Sequence, residues 1–137
     1  MQQRIFNHLL SAVVLTLTAP LASACQLSCD VTYAGATQHI AICPTQEPYQ
    51  IAAIHIGERF QFKGIHVKEG HLNPRIGIYV YLETQTSPLL LQHVVIRPPY
   101  PAAPAGASVD LLGEQHLYAG PLERELIYRC ALSQDTP

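Results

Sequence analysis

The mature part of this chain reads as an all-β domain: an antiparallel β-sandwich or small β-barrel of about seven or eight strands, stapled by disulfides. Three observations predict it. Alternating apolar and polar residues recur in short runs along residues 27–132, the period-two pattern of half-buried strands. Turn-forming residues punctuate those runs about every 8–12 residues, a spacing typical of sandwiches and barrels. Four cysteines, Cys25, Cys29, Cys43 and Cys130, make an even set in a chain that opens with an export signal.

The elements follow in order. Leu27, Cys29, Val31 and Tyr33 share a strand face, Ala34-Gly35 turns the chain, and His39 to Cys43 returns until Pro44 ends it. Ile54, Ile56, Phe60 and Phe62 share the next apolar face. Ile65 and Val67 have the opposite parity, and Gly64 stands at the change, which predicts a β-bulge or sharp bend there. Glu69 to Pro74 is a loop rich in turn residues. Ile76, Ile78, Val80 and Leu82 then line one face of the clearest strand, with Tyr79 and Tyr81 on the other. Thr84 to Pro88 turns into a strand over Leu89 to Ile96, where Leu89, Leu91, His93 and Val95 share a parity. Its apolar residues on both faces predict a central position.

Residues 97–108, with Pro98, Pro99, Pro101 and Pro104, read as a stiff surface loop connecting two sheets or displaying Tyr100. The last segment satisfies two periods. Gly120-Pro121-Leu122-Glu123 resembles a helix start, with Leu122, Leu126 and Cys130 on a helical face. Leu122, Leu126, Tyr128, Cys130 and Leu132 fit a strand face as well, interrupted only by Arg124, with residues 114–118 as hairpin partner, and a strand is the expectation.

Residues 1–24 have the three-part plan of a signal peptide, leaving a single exported domain over residues 25–137. Arg4 supplies the charge, Leu9 to Ala19 the apolar stretch, and Ala22 and Ala24 the small residues before the cut. The apolar stretch is about half of the ~20 residues that span a bilayer. Cleavage after Ala24 would expose Cys25 at the new amino terminus. Ala22-Ser23-Ala24-Cys25 also approximates a lipidation box, although Ala22 stands where a larger aliphatic residue is usual. Cys25 is therefore both a disulfide candidate and a lipidation candidate. The expected location is periplasmic or secreted, with a lipid anchor on a bacterial membrane as the alternative. The short alanine-rich cleavage region and the lack of an Asn-x-Ser/Thr sequon fit a bacterial source.

Without Arg4, seven Lys or Arg stand against ten Asp or Glu, and no basic run occurs. This argues against nucleic acid and anionic membranes as partners. Four cysteines allow three pairings. Cys25–Cys130 with Cys29–Cys43 is the first expectation, because it ties the two ends together and closes a short hairpin. A cysteine zinc site lacks a second tight pair, and Cys25 and Cys29 have three residues between them where a redox motif has two.

No serine sits in a Gly-x-Ser-x-Gly elbow, and Ser108 lies in the proline-rich loop. Glu123 and Glu125 share a strand face but have Arg124 and Arg129 nearby, which reads as an ion-paired surface. No enzymatic activity and no cofactor are expected. Six histidines lie beyond the signal, none at alternate-residue or i, i+4 spacing; His55, His66 and His71 are the candidates for a metal site should the fold assemble them. Tyr79, Tyr81 and Tyr100 are the candidates for binding, by stacking on sugar rings or packing on a protein. The leading expectation is a small non-catalytic binding or accessory module with a protein partner in the envelope. The alternatives are an inhibitor of an exogenous hydrolase such as lysozyme, by analogy of architecture, and a histidine-based metal binder.

Overall fold

A computed structural model describes residues 25–133. The segment read as a signal peptide, residues 1–24, lies outside the described residues, as do residues 134–137. Nine strands form two antiparallel sheets: β1 Leu27–Tyr33, β2 Ala36–Ile42, β3 Ile54–Ile56, β4 Phe60–Val67, β5 Arg75–Leu82, β6 Leu89–Ile96, β7 Ser108–Asp110, β8 Gln115–Ala119 and β9 Arg124–Ser133. One sheet has the order β2-β1-β9-β7, with β8 also pairing β9; the other has the order β3-β4-β5-β6. The two inner faces share one core, in which Leu27, Val31, Phe60, Phe62, Ile76, Ile78, Leu126 and Tyr128 are buried. The fold is thus a sandwich and not a closed barrel. Phe62 meets Tyr128 edge-to-face across the sheets, with ring centroids 5.4 Å apart. The Tyr128 hydroxyl donates to Gln92 Oε1 at 2.6 Å, and burial pushes its pKa up to about 12.

Local chemistry sets the register. Ala34 and Gly35 both take positive φ (51° and 80°), as a two-residue hairpin loop requires if its twist is to match the strands. Tyr33 therefore opposes Ala36 and Leu27 opposes Ile42. The register decides the disulfides, which differ from the first expectation: they are Cys25–Cys43 and Cys29–Cys130. Cys29 faces Ile40 on β2, so Cys43 lies past the hairpin's end, beside Cys25. On β1's other side Cys29 opposes Cys130 directly, both turned into the core. Cys29–Cys130 staples the neighbouring strands β1 and β9, and Cys25–Cys43 joins the segments just before β1 and just after β2.

Three further expectations need correction. The first is the expected count of seven or eight strands: Ile54, Ile56, Phe60 and Phe62 do share a face, but a turn at 57–59 divides them between β3 and β4, with Ile54 opposite Phe62 and Ile56 opposite Phe60. This turn and the short β7 bring the strand count to nine. Gly64 is not at a bulge, since β4 pairs β5 in unbroken register from Phe60 to Val67. A Cβ on Gly64 would lie 2.0 Å from Ile42 Cδ1 and 2.8 Å from its Cγ1, so glycine is there for close approach of the two sheets. Ile65 and Val67 are buried on the outer side because the 43–53 crossover lies against that end of β4; Thr45 N–H donates to His66 O at 2.9 Å. Gly64→Ala is expected to destabilise by about 1–3 kcal/mol through overpacking. Denaturant unfolding should find that cost relieved in an Ile42→Ala background.

The third correction concerns β6, which is an edge strand and not a central one. The bulge lies here, between Val80 and Tyr81, which pair Gln92 and Leu90 and leave Leu91 extra. Leu91 joins Val94 and Ile96 against the core, while Leu90, His93 and Val95 oppose Tyr81, Tyr79 and Gly77 on the outer side. The bulge, and not a central position, puts apolar residues on both faces. The last segment is strand, with β8 as its hairpin partner. Leu122 and Glu123 fall in the connecting turn, so Glu123 does not share the strand face of Glu125. The 97–107 loop carries the chain from one sheet to the other.

Candidate functional site

Alternation gives each sheet an outer face, and the two faces differ in chemistry. On the β2-β1-β9 side the polar groups satisfy one another. His39 Nδ1 lies 2.7 Å from Asp30 Oδ1, Thr32 bonds Thr37 at 2.7 Å, and Arg129 Nε pairs with Asp110 Oδ2 at 2.9 Å. His116 bridges Glu125 and Glu114 at 2.7 and 3.0 Å, and the Tyr118 hydroxyl donates to Glu125 at 2.7 Å. The hydrogen bonds to Glu125 and then Glu114 raise the His116 pKa, and His116 followed by Tyr118 lowers that of Glu125.

The outer face of β4-β5-β6 is aromatic and aliphatic. Its register places Lys63, Tyr79 and His93 in one row across three strands, with Gln61, Tyr81 and Leu90 in the next. The Tyr79 ring stacks on His93, with centroids 4.1 Å apart and planes at 15°, and Lys63 Nζ lies 5.9 Å from its centroid on the β4 side. Tyr81 is nearly parallel to Tyr79 at 7°, with centroids 6.4 Å apart. Gly77 makes room for this: a Cβ there would come 3.2 Å from a Tyr79 ring carbon. Leu90 is 48 % exposed and Val95 40 % exposed beside the rings, and Tyr79 and Tyr81 are half-buried. Neither sheet of the described chain covers this face. The row ends in polar groups at β3, where His55 Nδ1 lies 2.9 Å from Glu83 Oε1.

A second concave region lies at one end of the sandwich, a cleft of about 450 Å³ lined by His66, Lys68, Glu69, Pro99, Tyr100 and Ser133, among others. His66 ends the inward face of β4 opposite Ile76, and is 3 % exposed. The Tyr100 ring packs against the core edge-to-face with His66 at 6.4 Å, so the proline-rich loop turns this tyrosine inward and does not display it. His66 Nδ1 and the Tyr100 hydroxyl are both shut off from solvent without a hydrogen-bond partner. Burial first, then Lys68, lowers the His66 pKa; burial and then Glu69 raise that of Tyr100. Because neither orphan atom reaches the open part of the cleft, the pair serves as a plug closing the sandwich end.

No family model, no curated protein and no solved structure matches this chain. Its function is therefore read from its own surface.

The three histidine candidates are not brought together. His55 is exposed on the outer face, His66 is interior, and His71 lies exposed in the loop after β4. Among the described residues no group of three or more His, Cys, Asp or Glu is placed to hold a metal ion. Of the aromatic candidates, Tyr79 and Tyr81 adjoin and Tyr100 is elsewhere. His93, Leu90 and Val95 complete the face and were not singled out from the sequence, since the bulge hides their common side.

The plug has a pH signature. A histidine whose folded pKa is lowered binds fewer protons folded than unfolded. Its contribution to stability is complete above the unfolded value of about 6.5 and is lost as pH falls from there towards the folded value. Melting temperature should fall between about pH 7 and pH 5, and less steeply in His66→Phe; equal slopes would mean that His66 does not titrate as buried.

Proposed function

We propose that this protein is an exported, non-catalytic module that binds a protein partner of a bacterial envelope through the outer face of its β4-β5-β6 sheet. The observation that carries the reading is the contrast between the two outer faces: one is laced by ion pairs and hydrogen bonds, to which exposed Tyr118 contributes its hydroxyl, while the other groups Tyr79, Tyr81, Leu90, His93 and Val95. Half-buried aromatics beside exposed aliphatics are typical of interface cores, where charged residues are depleted. A protein fits better than a sugar. The faces of the Tyr79 ring are flanked by His93 and Lys63, so a saccharide could not stack there without displacing one of them.

Two disulfides fit an oxidising, extracytoplasmic environment, and among the described residues no helix is long and apolar enough to cross a membrane. The bond from Cys25 to Cys43 commits the thiol that a lipid anchor would need, which supports a free periplasmic or secreted protein. The intact mass of the native chain decides this, since a lipid on Cys25 would leave Cys43 as a thiol open to alkylation.

The binding test uses the immobilised mature protein against envelope extract, beside Tyr81→Ser/Val95→Ser and, on the opposite face, Asp30→Ala. Loss of at least about tenfold in capture of a partner by the first variant, with Asp30→Ala unaffected, is the expected result. Equal capture by all three forms would refute the face. Stoichiometric inhibition of lysozyme by the wild type would instead support the inhibitor reading.

A further inference from the structure

The sheet that carries the aromatic face ends in an unusual edge. Among the described residues β6 has one neighbour, β5, and no backbone hydrogen bond leaves it on the other side. Exposed edges invite pairing with another chain, and folds blunt them with charge, proline, bulges or short length. The other edges here are short or polar. β3 and β7 have three residues each, β7 with Asp110; β8 has five and follows Glu114; β2 has seven and is uncharged like β6, but it is polar at Thr37, Gln38 and His39. β6 is eight residues long, Leu-Leu-Leu-Gln-His-Val-Val-Ile, with no charged residue and no proline. Its bulge at Leu91 leaves Gln92 to Ile96 in regular register with Val80 to Ile76. Pro88 before it and Pro98 after it delimit the open stretch.

We infer that β6 pairs antiparallel with β6 of a second copy of this chain about a two-fold axis at Val94, joining two four-stranded sheets into one of eight. Charge favours this occupant. An uncharged strand meets itself without opposing like charges, and the small acidic excess of the mature part, seven Lys or Arg against ten Asp or Glu, repels a second copy only weakly. The register is self-consistent, as a two-fold interface must be. Val94 meets its counterpart, Gln92 meets Ile96 on the inner side, and His93 meets Val95 on the outer side in both directions. The pairing covers exposed Val95 and makes the two aromatic faces continuous. Five paired residues on each side form an interface at the small end of the usual range, so the dimer is of about micromolar strength or weaker.

Sedimentation velocity of the oxidised mature protein over a concentration series tests this, with proline at Val94 and at Val95 as separate variants. Of two successive strand residues, one directs its N–H to β5 and the other outward, and only the outward position accepts proline without loss of the fold. The wild type should pass from one-chain to two-chain mass as concentration rises, and the folded proline variant should stay at one-chain mass. Val95→Lys, which sets a charge beside the axis while keeping the backbone, should weaken the dimer at least tenfold. It also serves if neither proline variant folds. Wild type at one-chain mass throughout, or a dimer indifferent to the folded proline variant or to Val95→Lys, overturns the inference. Tyr81→Ser separates it from the binding role: the variant leaves the β6 backbone intact, so dimerisation persists while capture of the envelope partner falls.

Discussion

Removal of the Cys29–Cys130 bridge as Cys29→Ala/Cys130→Ala is expected to destabilise the domain by about 4–5 kcal/mol, the chain-entropy value for a loop of this size. The two cysteines are 101 residues apart, so their bond restricts nearly the whole described chain when unfolded. Cys25 and Cys43 are 18 apart, and their loss should cost only about 3 kcal/mol. Folded domains are stable by only about 5–15 kcal/mol, so the first variant should be close to its unfolding threshold at physiological temperature. Urea unfolding of both double variants checks the order. A larger loss from the short loop than from the long one would contradict the assigned pairing or the entropic account of it.

The second large effect belongs to Phe62. It is fully buried on the inner face of β4 and packs edge-to-face against Tyr128 of the opposite sheet. Phe62→Ala should cost about 3–5 kcal/mol, combining lost transfer free energy with the cavity left between the sheets. Tyr128 lines the same space and anchors Gln92 of β6 through its hydroxyl. Phe62→Ala and Tyr128→Leu should therefore be non-additive, each removing part of the other's packing. Denaturant midpoints of the two single variants and the double variant measure this. A cost below about 1 kcal/mol for Phe62→Ala would mean that the two sheets are not packed through this contact.

Much of the fold was legible because period-two alternation reports directly on which side of a strand is buried. Residues 27–33, 76–82 and 89–96 read correctly as strands, down to the opposed faces of Val80 and Tyr81. What was hidden arose from contacts distant in sequence. Nothing local to Gly64 distinguishes a bulge from a glycine yielding space to Ile42, because Ile42 comes from the other sheet. The disulfide pairing depended on which strand lies on each side of β1; once β2 and β9 flank it, the register leaves Cys29 facing Cys130.

The candidate site was half legible for the same reason. Tyr79 and Tyr81 announced a shared face by alternation, but His93 and Val95 join it only through the bulge that shifts β6 by a residue. Tyr100 looked like a display residue because prolines surround it, yet its ring satisfies the end of the core next to His66. The histidines gave no spacing signal, and the fold leaves His55, His66 and His71 in three different environments.

The central claim is that partners dock on the outer face of the β4-β5-β6 sheet. Site-specific photo-crosslinking in the native cell tests it most directly, with the reactive side chain placed at Tyr81 on that face and at Asp30 on the opposite one. A discrete protein adduct from position 81, absent from position 30, is the result expected here. An adduct from position 30 alone, or the same adduct from both, would contradict it.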